Sequence, residues 1–217
     1  VRLHAYLPGL PCSLRARHEG ILVGIGTLLN DNPQLNARRL VPPPPVAALP
    51  RPVVLDTALR TPTSCRLLEL YRHGAGRQPL LVSAAPTDQS AHGEWEQRYH
   101  ALREAGAEIV LVSAPPSEPR LPWDAVWPVL STAGIHSLMI EGGATVIDSV
   151  LAAHAKEPCV DVVIVTVAPM QVGEAGYGYT TALPLDASKS GDTTSAHLRE
   201  RARVHLSPDD VIALGPA

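Results

Sequence analysis

Short, unbroken apolar runs limit the fold of this chain more than any other feature. Ile21-Leu22-Val23, Val53-Val54-Leu55, Leu80-Leu81-Val82, Ile109-Val110-Leu111-Val112, Leu138-Met139-Ile140 and the stretch from Val162 to Val167 are continuous rather than alternating. A strand with one wet face alternates apolar and polar residues, whereas an unbroken run suits a strand covered on both faces. Helical stripes lie between several of these runs: Trp95, Tyr99 and Leu102; then Val126, Trp127 and Leu130; then Val146, Ile147, Val150 and Leu151. Their spacing follows the turn of an amphipathic helix. The alternation predicts an α/β domain with a mostly parallel central sheet flanked by helices. The segments His197 to Leu206 and Val211 to Leu214 predict a closing C-terminal β-hairpin.

Composition then narrows the classes. Hydrophobic residues make up 45% of the 217, enough for a core, and with no Phe that core must rest on Val, Leu, Ile and Ala. Rows of stacking aromatics for nucleic acid are excluded, and a net charge of −3 implies no broad basic face for nucleic acid or anionic lipid. No apolar run reaches the roughly 20 residues that span a bilayer. The odd, scattered set Cys12, Cys65 and Cys159 draws no disulfide framework and points to a reducing cytosol. The histidines form no metal-ligand pair and Ser83, Ser113 and Ser137 lack a nucleophile-elbow context, so no metal site is expected. The prolines cluster: Pro42 to Pro45 lie in an aperiodic stretch from about Asn32 to Pro52, and a second irregular stretch runs from Gly173 to Asp192. Both read as loops of one domain spanning 1–217, because too little chain precedes the first to form its own core.

Two strand-to-helix turns carry glycines: Gly24-Ile25-Gly26-Thr27 after the first run, and Glu141-Gly142-Gly143-Ala144-Thr145 after the fifth. Glycines let backbone N–H groups approach a phosphate, and the following helix start adds favourable partial charge. Taken singly, such turns are more often matters of geometry than of nucleotide binding. Glu141 stands at the carboxyl end of a strand, where open α/β sheets bind ligands. It reads equally as a ligand or proton-transfer group and as a charge satisfied by a helix start. Asp31 fits a turn before Pro33, and Arg38 and Arg39 follow it, able to grip a phosphate or simply solvated.

Together the motifs have a resemblance. The string His18-Glu19-Gly20-Ile21-Leu22-Val23-Gly24-Ile25-Gly26-Thr27-Leu28-Leu29-Asn30-Asp31-Asn32-Pro33-Gln34-Leu35-Asn36 resembles the signature of the riboflavin-biosynthesis reductases. Pro52 to Pro62, Met139 to Ala144, and Val165 to Pro169 with Gly173 follow in the family's order. The resemblance implies a dihydrofolate-reductase-like α/β fold, NADPH as cofactor, a cytoplasmic homodimer, and a pyrimidine ribosyl phosphate as small-molecule substrate. Its reaction would turn a ribosylamino group into ribitylamino, with hydride delivered to C1′ of an open-chain imine. The absent deaminase motif and the proline insert resemble the stand-alone fungal type. By the same resemblance Gly24, Thr27, Gly142, Gly143, Ala144 and Thr145 line the cofactor, Ser83 its adenosine end and Arg60 its 2′-phosphate. Asp31, Asn36 and Glu141 face the substrate, Arg38 holds its 5′-phosphate, and Glu141 or Asp31 supplies the proton. Two departures stand out: Asn32 replaces the second Asp of an Asp-Asp-Pro, and the family's first strand and lysine-bearing loop have no counterpart. The second departure raises an alternative, a catalytically impaired homologue acting as a nucleotide-binding or dimerisation subunit. A dihydrofolate-type reductase ranks below both.

Overall fold

The computed structural model describes residues 14–38, 40–86, 89–113, 120–170 and 198–216. The chain divides into two compact units, one within Gly9–Gly143 and the other including Ala144–Ala217.

The first unit holds strands β1 (Gly20–Gly24), β2 (Arg51–Leu55), β3 (Leu80–Ser83), β4 (Glu108–Leu111) and β5 (Leu138–Gly142). Its helices are α1 (Ile25–Asp31), α2 (Arg66–Arg72), α3 (Gln89–Glu104) and α4 (Trp123–Thr132). All neighbouring strands pair in parallel, in the order β4-β3-β2-β1-β5. Ile21, Val23, Val54 and Leu81 share one core with Leu67 and Leu68 of α2 and with Trp95 and Leu102 of α3. Leu22, Val53, Leu80 and Val82 alternate with them onto the other face and are 0% exposed as well. Burial of both faces is why these runs carry no polar alternation. From Asn32 to Pro50 the described residues of the proline-rich stretch contain no α-helix or strand, only one turn of 3-10 helix at Val46–Ala48, and β2 begins at Arg51.

Three details depart from the sequence reading. The first glycine turn is shorter than expected: Gly24 caps α1 directly, so Gly26 lies within the helix with open space around it. Helix α2, seven residues long, stands between β2 and β3 where the sequence reading marked no helical stripe. The Val162–Val167 run does not join the parallel sheet.

That run is β6 (Val163–Val167), in the second unit, where it pairs antiparallel with β8 (Asp209–Pro216). The hairpin expected at the C-terminus is formed by β7 (Leu198–Leu206) and β8, giving a sheet ordered β6-β8-β7. With α5 (Ala144–Lys156) it encloses a small core of Leu151, Val165, Leu198, Ile212 and Leu214. An apolar run announces burial but does not name its partner strand, and β8 supplied the one here. The Gly173–Asp192 loop and Arg39 lie outside the described residues.

Candidate active site

Strand order selects the place where a ligand can enter. The chain builds outward from β1 through β2 and β3 to β4, then returns to place β5 on the other side of β1. The carboxyl ends of the adjacent parallel strands β1 and β5 thus lie side by side, at the edge of the sheet where α/β proteins bind ligands. At the amino end of β2, Arg51, 7% exposed, donates to Gln78 O at 3.0 Å and to Glu108 Oε2 at 2.5 Å.

Both glycine turns meet at this edge. The β1–β5 register runs Gly20↔Leu138, Ile21↔Met139, Leu22↔Ile140 and then jumps to Val23↔Gly142, so Glu141 is bulged out of the ladder. Gly142 is buried with φ 131°, a backbone closed to ordinary L side chains, and its bond to Gly143 is cis. A Cβ on Gly143 would stand 3.1 Å from Thr27 Oγ1, so its lack of a side chain leaves bare backbone beside that hydroxyl. Ala144 and Thr145 follow directly as the first residues of α5.

Glu141 is held by a residue that sequence reading did not single out. Arg15 donates from Nε to Glu141 Oε1 at 2.6 Å and from Nη2 to Oε2 at 2.5 Å, a bidentate fork. The two side chains are only 17% and 18% exposed. Arg15 Nη1 also donates to the Asn36 carbonyl at 3.3 Å. The partners Arg15 and Glu141 are 126 positions apart, and no spacing rule connects them.

The other expected residues are distributed as follows. Asp31, the last residue of α1, and Arg38 are exposed. The Asn36 side-chain Oδ1 is buried without a hydrogen-bond partner among the described residues. Arg60 is exposed on a turn braced from three directions. Asp56, 0% exposed, accepts from Thr61 N at 2.8 Å and Thr61 Oγ1 at 2.7 Å. Ser83 Oγ donates to Thr57 O at 3.1 Å, and Arg98 Nη1 donates to Ala58 O at 3.1 Å. Ser83 is thus fully buried and supports the turn that presents Arg60. Among the described residues no group of three or more His, Cys, Asp or Glu is placed to hold a metal ion, and no helix is long and apolar enough to cross a membrane.

A family model described as the RibD C-terminal domain matches residues 12–208. The chain belongs to this family. A RibD C-terminal domain relative from Candida glabrata, a 2,5-diamino-6-ribosylamino-4(3H)-pyrimidinone 5′-phosphate reductase, is 30% identical over 82% of this chain and 68% of its own length. The Saccharomyces cerevisiae protein of the same name is 31% identical over 75% of this chain, and the match spans 60% of that protein, less than two thirds. Among solved structures, a riboflavin biosynthesis reductase from Saccharomyces cerevisiae superposes with a TM-score of 0.69 at 22% identity, covering 100% of this chain and 83% of that one. A pyrimidine reductase-like protein from Corynebacterium diphtheriae gives 0.66 at 23% identity, covering 96% and 79%. At such identities the likeness speaks for the fold, which is the expected dihydrofolate-reductase-like α/β arrangement.

Proposed function

We propose that this chain is a single NADPH-dependent reductase domain over residues 1–217. It would convert the ribosylamino group of a diaminopyrimidinone 5′-phosphate to ribitylamino in riboflavin biosynthesis. The meeting of the two glycine turns at the carboxyl ends of β1 and β5 carries this reading, with the RibD C-terminal domain relatives supplying the substrate class. The bare backbone at Gly142-Gly143 beside Thr27 fits a group that must lie close against the chain, as a dinucleotide does.

NADPH, when bound, supplies the hydride; the protein's own residues bind, orient and handle protons. Gly24, Thr27, Gly142, Gly143, Ala144 and Thr145 are assigned to the cofactor. Arg60 is assigned to the 2′-phosphate, with Ser83 bracing its turn on the adenosine side. Asp31, Asn36 and Glu141 are assigned to the substrate sugar, and Arg38 to the 5′-phosphate. Of the two carboxyl groups, Asp31 is exposed and Glu141 is engaged by Arg15. Aligning donor and acceptor carbons is the main service the scaffold would offer, since orientation removes much of the entropic barrier. The family resemblance also supports a cytoplasmic homodimer, which sedimentation of the purified chain tests.

Fluorescence titration with NADPH, followed by NADPH oxidation with the diaminopyrimidinone ribosyl phosphate, tests the assignment. Saturable binding and substrate-dependent oxidation are expected, with both lost in Gly143→Val. Failure of the wild-type chain to bind NADPH would remove the assignment.

A further inference from the structure

The turn that presents Arg60 is held in a shape that ordinary residues avoid. Leu59, directly before it, has φ 50°, in the left-handed region. Such a backbone persists only where its surroundings fix it, and residues of this kind cluster at ligand clamps. Two of the clamps on this turn belong to the packed ends of the strands. Asp56 follows β2 and accepts from Thr61 N and Oγ1, and Ser83 at the end of β3 donates to Thr57 O. Both side chains lie fully inside the molecule.

The third clamp differs in kind. Arg98 reaches from the middle of α3, 40 positions along the chain, and donates from Nη1 to Ala58 O at 3.1 Å. Its other arm, Nη2, pairs with Glu94 one turn back on the same helix. The pair is at the surface, with Arg98 39% and Glu94 70% exposed. An exposed pair of this spacing adds little to stability. What it does supply is direction, because a planar guanidinium tethered at one arm holds its other arm in a set line. Helix α3 is otherwise seated through Trp95 and Leu102, which lie in the core with Leu59 itself.

The carbonyl that Arg98 grips lies in the peptide plane shared by Ala58 and Leu59. Fixing that plane fixes one side of the φ rotation at Leu59, and so the direction in which the chain leaves toward Arg60. We propose that Arg98 is the positioning residue for Arg60, setting the preference for NADPH over NADH from α3 without touching the cofactor. The inference deepens the reductase reading and rests on it, with Arg60 as the residue that meets the 2′-phosphate. NADH has no such phosphate, so loss of this clamp bears on one dinucleotide and spares the other.

The test uses Arg98→Met, Arg60→Ala and the Arg60→Ala/Arg98→Met pair, with calorimetric Kd for NADPH and for NADH. Arg98→Met should weaken NADPH binding by about 3- to 10-fold, the scale of one hydrogen bond, while NADH stays within about twofold. In the Arg60→Ala background the same substitution should change NADPH affinity by less than about twofold, because groups that act through one contact are non-additive. That background separates positioning from the mere charge of Arg98, whose pull on a phosphate would remain when Arg60 is gone.

Unchanged NADPH affinity in Arg98→Met, an equal loss for NADH, or a loss undiminished in the Arg60→Ala background would overturn the proposal while leaving the reductase reading intact. If Arg98→Met does not fold, Arg98→Gln is measured in its place and read by the same outcomes. A wild-type chain that binds no NADPH would fail the reductase reading first, and this inference with it.

Discussion

Two leucines show how single residues hold the site loops in shape. Leu35 and Leu59 have φ of 43° and 50°, and each is 1% exposed within the same core. The left-handed region costs an ordinary L-residue about 1–2 kcal/mol. Burying a leucine side chain returns about 2 kcal/mol or more. In each case the buried leucine fixes the chain so that its successor, Asn36 or Arg60, is presented. Leu59→Ala keeps the backbone cost and loses the burial, whereas Leu59→Gly loses the burial but relieves the backbone. Gly is ordinarily the poorer of the two by roughly 0.5–1 kcal/mol. At this position Leu59→Gly should be at least as stable as Leu59→Ala by urea unfolding; a clearly higher midpoint for the alanine variant would mean that the strain is not there. At this scale little of the site could be read in advance. Glu141 and the glycines stood out because their neighbours in sequence are their neighbours in space, and Arg15 did not because its partner comes from a distant strand.

Elements are joined here by short polar clamps. Asn32 ends α1 in the left-handed region at φ 40°, and its Oδ1 accepts the Arg66 N–H at 2.8 Å, at the start of α2. Asn is among the few non-glycine residues that enter this region readily. Asn32→Asp keeps the acceptor and adds a charge favoured at a helix start, so it should match or exceed wild-type stability by up to about 0.5–1 kcal/mol. Asn32→Gly keeps the backbone but loses the acceptor and should cost about 0.5–1.5 kcal/mol. Thermal melts that rank Asn32→Gly above Asn32→Asp would contradict this account.

Glu19 clamps the starts of β1 and β5. The His136 N–H most of all, then the Ser137 N–H and nearby positive charge, hold its carboxyl below the ordinary value of 4.5, against an opposing desolvation. A carboxyl whose folded-state value is depressed stabilises the fold above its unfolded value, and that contribution is lost as pH falls through the folded one. The melting temperature of wild type should exceed that of Glu19→Gln at neutral pH, and the gap should close below pH 4.5 as the carboxyl protonates. A gap that persisted unchanged into strong acid would rule out this origin.

Across the whole molecule, ligand binding and stability are linked. If NADPH binds only the folded chain, a concentration about 100 times its Kd should add about 2.7 kcal/mol to unfolding. Arg60 is exposed and its turn is braced by Asp56, Ser83 and Arg98, so Arg60→Ala should leave the unliganded melt nearly unchanged. It should narrow the preference for NADPH over NADH by roughly 10-fold, the scale of one charge-assisted contact to the 2′-phosphate. Calorimetry with both cofactors measures this, and an unaltered preference would move the 2′-phosphate to another residue. The apolar runs, the helical stripes, the proline loop and the ordered motifs were all legible along the chain, because local periodicity reports burial and short motifs report backbone geometry. They determined an α/β fold, its β1 to β5 strands and the glycine turns. Strand order, the transfer of β6 to an antiparallel sheet, the bulge at Glu141 and the guanidinium that holds it were decided only in three dimensions. Each of these depends on which distant segment supplies a hydrogen-bonding partner, and a chain's own local pattern carries no record of that choice.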